Sequence, residues 1–137
     1  MALADLNTTK APSGVAQGSV TAVLSASQTS TGATDDYLDT AGYVSKLIVT
    51  VTNGATNTCA VKLQGSHDAT NWADIGYTSA GNGTPARDTT PVITATTIAA
   101  DSTLFMAALP GEWPRYVRGN VTSANANGTA ILGYLER

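Results

Sequence analysis

Charge is scarce in this chain of 137 residues: Asp, Glu, Lys and Arg together make up 12% of it, about half of what a soluble domain usually carries. Seven Lys and Arg are scattered from Lys10 to Arg137 against ten Asp and Glu, for a net charge of −3. A surface that tracks a phosphate backbone needs clustered cations, so nucleic acid is not an expected partner. No basic amphipathic stretch suits a membrane surface, and no apolar run nears the ~20 residues of a spanning helix. Cysteine occurs once, at Cys59, which excludes an intramolecular disulfide. Histidine also occurs once, at His67, so the three or four His and Cys ligands of a typical zinc site cannot be assembled. Aromatic residues are 6% of the chain, with a single phenylalanine. The opening MALADLNTTK has neither a basic n-region nor an apolar h-region, so no secretory signal is expected and the chain is expected to fold in the cytoplasm. The N-x-Thr triplets at Asn7, Asn82, Asn120 and Asn127 then read as chance matches in a Thr-rich chain.

Thr, Ala, Ser, Gly and Asn fill the space that charge leaves. Thr and Val suit strands, and Gly and Asn suit the turns between them. Helical periodicity is nearly absent, whereas alternation recurs. Ser19–Ser27 sets Val20, Ala22 and Leu24 on one face. Tyr43–Asn53 sets Leu47, Val49 and Val51 on one face and Lys46, Ile48, Thr50 and Thr52 on the other. Cys59, Val61 and Leu63 alternate with Ala60, Lys62 and Gln64, which makes Cys59 a small buried apolar residue and not an activated thiol. Further strands are expected at Trp72–Tyr77, Pro91–Ala99, Ser102–Leu109, Arg115–Ala124 and Gly128–Arg137. About eight strands at this spacing predict an all-β fold, an antiparallel β-sandwich of jelly-roll-like type.

The turns carry their own chemistry. Asn53-Gly54 and Asn127-Gly128 offer the positive-φ residues of tight hairpins. Asn82-Gly83 marks a longer loop and Pro110-Gly111 breaks the chain before its last two strands. Thr29–Tyr43 reads as a loop with a short strand at Tyr37 and Leu38. Residues 1–18 lack a clean period and contain Pro12, Gly14 and Gly18. They read as an N-terminal arm outside a single sandwich domain of residues 19–137: either a disordered terminus or a segment that orders on a neighbouring subunit, with Leu3 and Leu6 as anchors.

Candidate chemistry concentrates in VKLQGSHDATNWADIG, residues 61–76. Ser66, Asp68 and Asn71 are turn formers that bond local backbone N–H groups, so the stretch reads as a hairpin. His67 and Asp68 are sequence neighbours and project apart. No G-x-S-x-G elbow accompanies a Ser-His-Asp set. Asp68 with Asp74, or Asp35, Asp36 and Asp39, are the carboxylates that could serve calcium, but D-D-Y-L-D lacks the alternate oxygen ligands and the glycine of an EF-hand loop. Glu112 beside Trp113 is the acid that stands out for carboxylate chemistry, without an evident second member. No catalytic residue, metal or cofactor is expected. Trp72 either caps an open edge or lies on the sheet, and Trp113 either closes a loop onto the core or is an exposed contact. Trp, Tyr and Arg anchor many interfaces, so Trp72, Trp113, Arg115, Tyr116 and Arg118 join Leu3 and Leu6 as candidate partner contacts. Three residues apart on a strand, Arg115 and Arg118 are expected on opposite faces, by default as solvated charges, the alternative being that one of them pairs with Glu112 or a neighbouring chain.

Two segments carry a resemblance. VKLQGSHDATNWADIG resembles a V-x-L-Q-x-S-x-D-(x)n-N-W-x-D-I hairpin of small β-sandwich proteins in tailed-phage virions. WPRYVRGNVTSANANGTAILGYLE resembles the R-Y-V-R-x-x-V-T-x-(x)n-G-T-A-x-L closing strand pair of the same proteins. Together they span about 40 of the 137 residues, and they encode core and turn geometry more than function. The resemblance implies a capsid decoration (cement) protein: a homo-oligomer, with a trimer favoured, on the outer capsid surface of the virion. Its partner would be the major capsid protein, whose neighbouring subunits it would clamp together. Two alternatives stand beside it. One is a tail or neck component of the virion. The other is a glycan-binding module with Trp72, Tyr77, Trp113 and Tyr116 as a stacking platform.

Overall fold

The computed structural model describes residues 20–40, 46–81, 88–109 and 114–136. The proposed arm of residues 1–18, with Leu3 and Leu6, and the residues Asn82, Gly83, Pro110, Gly111, Glu112 and Trp113 lie outside them. Among the described residues the chain is all-β. Its strands in chain order are β1 (Val20–Gln28), β2 (Gly32–Ala33), β3 (Leu38–Asp39), β4 (Lys46–Asn53), β5 (Cys59–Ser66) and β6 (Ala73–Asp74). There follow β7 (Tyr77–Gly81), β8 (Asp88–Val92), β9 (Thr96–Ile98), β10 (Thr103–Ala108), β11 (Tyr116–Ser123) and β12 (Thr129–Glu136). They form two antiparallel six-stranded sheets. The first has the order β1-β12-β4-β10-β7-β8. The second has the order β2-β11-β5-β6, with β3 also paired to β11 and β9 to β5.

The alternation anticipated from sequence places the core between the sheets. Leu47, Val49 and Val51 of β4 and Cys59, Val61 and Leu63 of β5 are buried, and Leu104, Met106, Val117, Ile131 and Leu135 join them. Lys46, Ile48, Thr50 and Thr52 face outward as expected. Two segments expected as single strands are each divided between sheets. Trp72–Tyr77 supplies β6 to the second sheet and the start of β7 to the first; Pro91–Ala99 supplies the end of β8 to the first and β9 to the second. The chain changes layer at Ile75–Gly76 and at Ile93–Ala95, which a period-2 pattern does not reveal.

Neither Asn-Gly dipeptide forms a tight hairpin. β4 lies in the first sheet and β5 in the second, and β11 and β12 are likewise in opposite sheets, so both connections cross the sandwich. Of the two glycines, Gly54 and Gly128, Gly128 takes positive φ, at 95°, where an L side chain is strained. Asn53 has a different task. It is buried, and its Nδ2 donates to the carbonyls of Asn57 at 2.8 Å, Ile98 at 3.2 Å and Ala99 at 3.1 Å. Its Oδ1 accepts from Asn125 Nδ2 at 3.0 Å and Thr129 Oγ1 at 3.2 Å. Asn125 Nδ2 also donates to the carbonyls of Ala55 and Asn57. Two buried amides thus satisfy the backbone of the loops at one end of the sandwich, where unpaired carbonyls would be costly.

Candidate interaction surface

Both sheets turn one face to solvent, and the two faces differ in chemistry. On β11 the outward residues are Tyr116, Arg118 and Asn120, and on β5 they are Lys62 and Gln64, because Val117, Gly119, Val121, Val61 and Leu63 point inward. Strand register sets Arg118 opposite Gln64, and Gln64 opposite Asp74 of β6. The resulting hydrogen-bond chain crosses three strands. Arg118 Nε donates to Gln64 Oε1 at 3.0 Å, and Gln64 Nε2 donates to Asp74 Oδ1 at 3.1 Å. Lys62 Nζ pairs with Asp74 Oδ2 at 3.0 Å. The hydrogen bonds from Gln64 and then Lys62 hold the Asp74 carboxyl below the usual carboxylate range.

At one end of this chain stands an aromatic cluster. Trp72, two residues before Asp74, packs its ring under the Arg118 guanidinium, whose carbon is 4.0 Å from the ring centre. Tyr37, just before β3, lies 5.7 Å from Trp72 at a 57° tilt and 5.1 Å from Tyr116 edge-on at 74°. Arg115 covers the Tyr116 ring at 5.2 Å and donates to Asp39 at 3.2 Å, which pushes its pKa up. Burial among its neighbours moves Arg118 the other way, though an arginine remains cationic.

The structure therefore brings four of the sequence-predicted contacts together: Trp72, Arg115, Tyr116 and Arg118. Trp72 lies on the sheet and does not cap an edge. Arg115 and Arg118 are not separated onto opposite faces. Arg115 precedes β11, which starts at Tyr116, so strand alternation does not reach it; its partner is Asp39. Tyr37, Lys62 and Gln64 belong to the site without standing out in the sequence, and Asp74, weighed there as a calcium ligand with Asp68, enters it as the partner of Gln64 and Lys62. The alternation of Lys62 with Gln64 and of Tyr116 with Arg118 pointed to them, but which residues face each other depends on register. Tyr77 is excluded from any surface platform. It is fully buried, and its hydroxyl donates to the Thr94 carbonyl at 2.6 Å.

The hairpin at Ser66–Asn71 is built as its side chains dictate. Asp68 Oδ1 accepts from the backbone N–H groups of Thr70 and Asn71, each at 2.8 Å, and Oδ2 accepts from Asn71 Nδ2 at 2.7 Å. Ser66 Oγ donates to Asp68 Oδ1 and accepts from the N–H of Ala69. Those donors, led by the Asn71 N–H, hold the Asp68 carboxyl far below its ordinary range. Both Asp68 oxygens are thus engaged within the turn, and His67 projects into solvent. Among the described residues no three His, Cys, Asp or Glu side chains are grouped to hold a metal ion. Cys59 is buried, and desolvation raises its pKa, opposite to what an activated thiol requires. A cavity of about 210 Å³ lined by Thr97, Ile98, Ser102, Thr103 and Leu104 has no titratable side chain in its wall. What the Arg118–Trp72 surface offers is a fixed set of ring edges, guanidinium donors and a paired carboxylate, suited to binding. No family model, curated protein or solved structure matches the chain.

Proposed function

We propose that this protein acts by contact, as a virion structural component: a capsid decoration protein that docks on the outer surface of a phage capsid and joins neighbouring major capsid subunits. The observation that carries the reading is the ring-and-guanidinium cluster of Tyr37, Trp72, Arg115, Tyr116 and Arg118 on the outer face of the second sheet. Trp, Tyr and Arg dominate the energetics of protein interfaces, and side chains already locked by stacking and hydrogen bonds lose little freedom on binding. The resemblance of residues 61–76 and 113–136 to phage sandwich proteins supplies the choice of partner.

The mechanism is state-selective binding. A ligand that bridges two subunits binds the assembled lattice better than free subunits and stabilises it by mass action. Repetition over a shell adds to this through effective concentration. The rings bear on the glycan alternative as well. At 57° and 74° to one another they share no flat surface for a sugar to stack on, and Arg118 covers Trp72, which favours a protein partner.

The test is a density gradient. Purified protein is mixed with capsids lacking it, and the bound copies are counted by mass spectrometry. The reading expects co-migration in hundreds of copies, lost on Trp72→Ala or Arg118→Ala in variants whose circular dichroism is unchanged. Protein that stays at the top of the gradient overturns it. A dozen copies or fewer per native particle assigns it instead to the tail or neck.

A further inference from the structure

The outer face of the first sheet has the opposite character. Strand register sets Val23, Leu132, Thr50, Phe105 and Ala80 in one row across β1, β12, β4, β10 and β7. Val23 is 55% exposed, Phe105 49% and Leu132 39%, three of the most exposed large apolar residues described. Ile48 and Tyr134 lie in the adjacent row, opposite each other. Across these five strands the sequence carries two charged residues, Lys46 and Glu136, which face each other at one end. The rest is Thr, Ser, Gly, Asn, Gln and apolar.

From this we infer that the face is a self-association surface, occupied by the same face of a second copy across a two-fold axis. Charge argues for a copy of this chain. The molecule bears a net charge of −3, while these five strands carry only Lys46 and Glu136, adjacent and of opposite sign, so two copies meet here with no net charge opposed. Size argues for it too. Five strands about 4.8 Å apart and five to nine residues long cover roughly 500–600 Å². Two such faces bury roughly 1,000–1,200 Å², at the lower end of specific interfaces and so a dimer of moderate strength. The row is also self-complementary. Thr50 stands at its middle, with Leu132 on one side and Phe105 on the other. A two-fold axis along β4 through Thr50 therefore lays each Phe105 on the other copy's Leu132. A closed two-fold contact uses one face twice, whereas a threefold ring needs two different faces to meet. The inference thus departs from the trimer that the resemblance implies. It does not depend on the capsid reading, since it concerns the protein free of particles.

Sedimentation velocity of the full chain over the micromolar range tests it. The wild type should sediment as a concentration-dependent dimer. Phe105→Glu and Leu132→Glu, both at exposed positions, should weaken it by about tenfold or more each, with unaltered circular dichroism. As a second measurement, Thr50→Cys should cross-link into dimers with a short bis-maleimide, which bridges the gap of about 10 Å between packed sheets, because Cys59 is buried and the new thiol lies at the axis. Lys62→Cys, on the other sheet, should not. A wild type that stays monomeric, a trimer, or a dimer indifferent to both glutamates would each overturn the inference.

Discussion

Arg118 of β11 rests its guanidinium on the ring of Trp72, with 4.0 Å from carbon to ring centre, while its Nε donates to Gln64 between them at 3.0 Å. The stack and the hydrogen bond act on one side chain from two directions, so the two residues should be energetically coupled. A double-mutant cycle of Trp72→Ala and Arg118→Ala, read by urea denaturation, should give a coupling of about 1 kcal/mol. Arg118→Lys keeps the charge but loses the planar fork and most of the stack. It should retain little of that coupling. Full coupling in the lysine variant would mean that charge alone matters at this site.

The second prediction concerns acid. Asp68 is stabilised as a carboxylate by the N–H groups of Asn71 and Thr70, so its folded pKa lies below its unfolded one. The sign follows from linkage: the folded state binds fewer protons, so the contribution is fully present above the unfolded value of about 3.9. It is lost progressively as pH falls below that value toward the folded pKa. Asp74, shifted the same way by Gln64 and Lys62, adds in the same window. Melting temperature measured from pH 6 downward should therefore fall steeply below about pH 4 in the wild type. Asp68→Asn, already less stable at neutral pH, should show a shallower decline. Parallel curves for the two proteins would remove Asp68 from the account.

A third prediction follows from the buried amides. Asn125→Ala removes donors to Asn53 Oδ1 and to the carbonyls of Ala55 and Asn57. Each acceptor keeps a second donor, Thr129 Oγ1 for Asn53 Oδ1, Asn127 Nδ2 for Ala55 and Asn53 Nδ2 for Asn57, so losing the Asn125 amide should cost about 1–2 kcal/mol. The loss should appear in equilibrium urea unfolding as a lower midpoint with an unchanged slope. A loss under about 0.5 kcal/mol would show that the remaining donors suffice and that Asn125 is not a lock.

These amides also mark the limit of what the sequence discloses. The inward sets Leu47/Val49/Val51 and Cys59/Val61/Leu63 are legible because period-2 alternation is a local property. The Ser66–Asn71 turn is legible for the same reason, since Asp68 bonds residues two and three positions away. Asn53-Gly54 is not. The dipeptide that closes a hairpin also serves as a buried lock, and the choice between them rests on β5 joining the other sheet. The site behaves in the same way. Trp72, Arg115, Tyr116 and Arg118 stand out by residue type, but Gln64, Asp74 and Tyr37 enter it only through register and layer crossing. Arg115 escapes the alternation because β11 begins at Tyr116, one residue later than the sequence pattern suggests.

Gly133 and Leu38 supply the last prediction. Gly133 lies in the middle of β12 with its missing side chain directed inward, and a Cβ built there would stand 2.7 Å from Leu38 Cδ1 and 2.8 Å from both Cδ2 and Cγ. Leu38 is buried in the core and comes from β3, which pairs only with β11 among the described strands. The glycine thus makes room for a leucine that ties a two-residue strand of the second sheet to the first. Gly133→Ala should cost about 1–3 kcal/mol by overpacking, and Leu38→Ala about 2–5 kcal/mol through the cavity it leaves. Combined, the alanine at 133 grows into the space vacated at 38, so the double variant should be at least about 1 kcal/mol more stable than the sum of the single losses predicts. Strict additivity in denaturant unfolding would mean that Gly133 is required by the strand itself and not by Leu38.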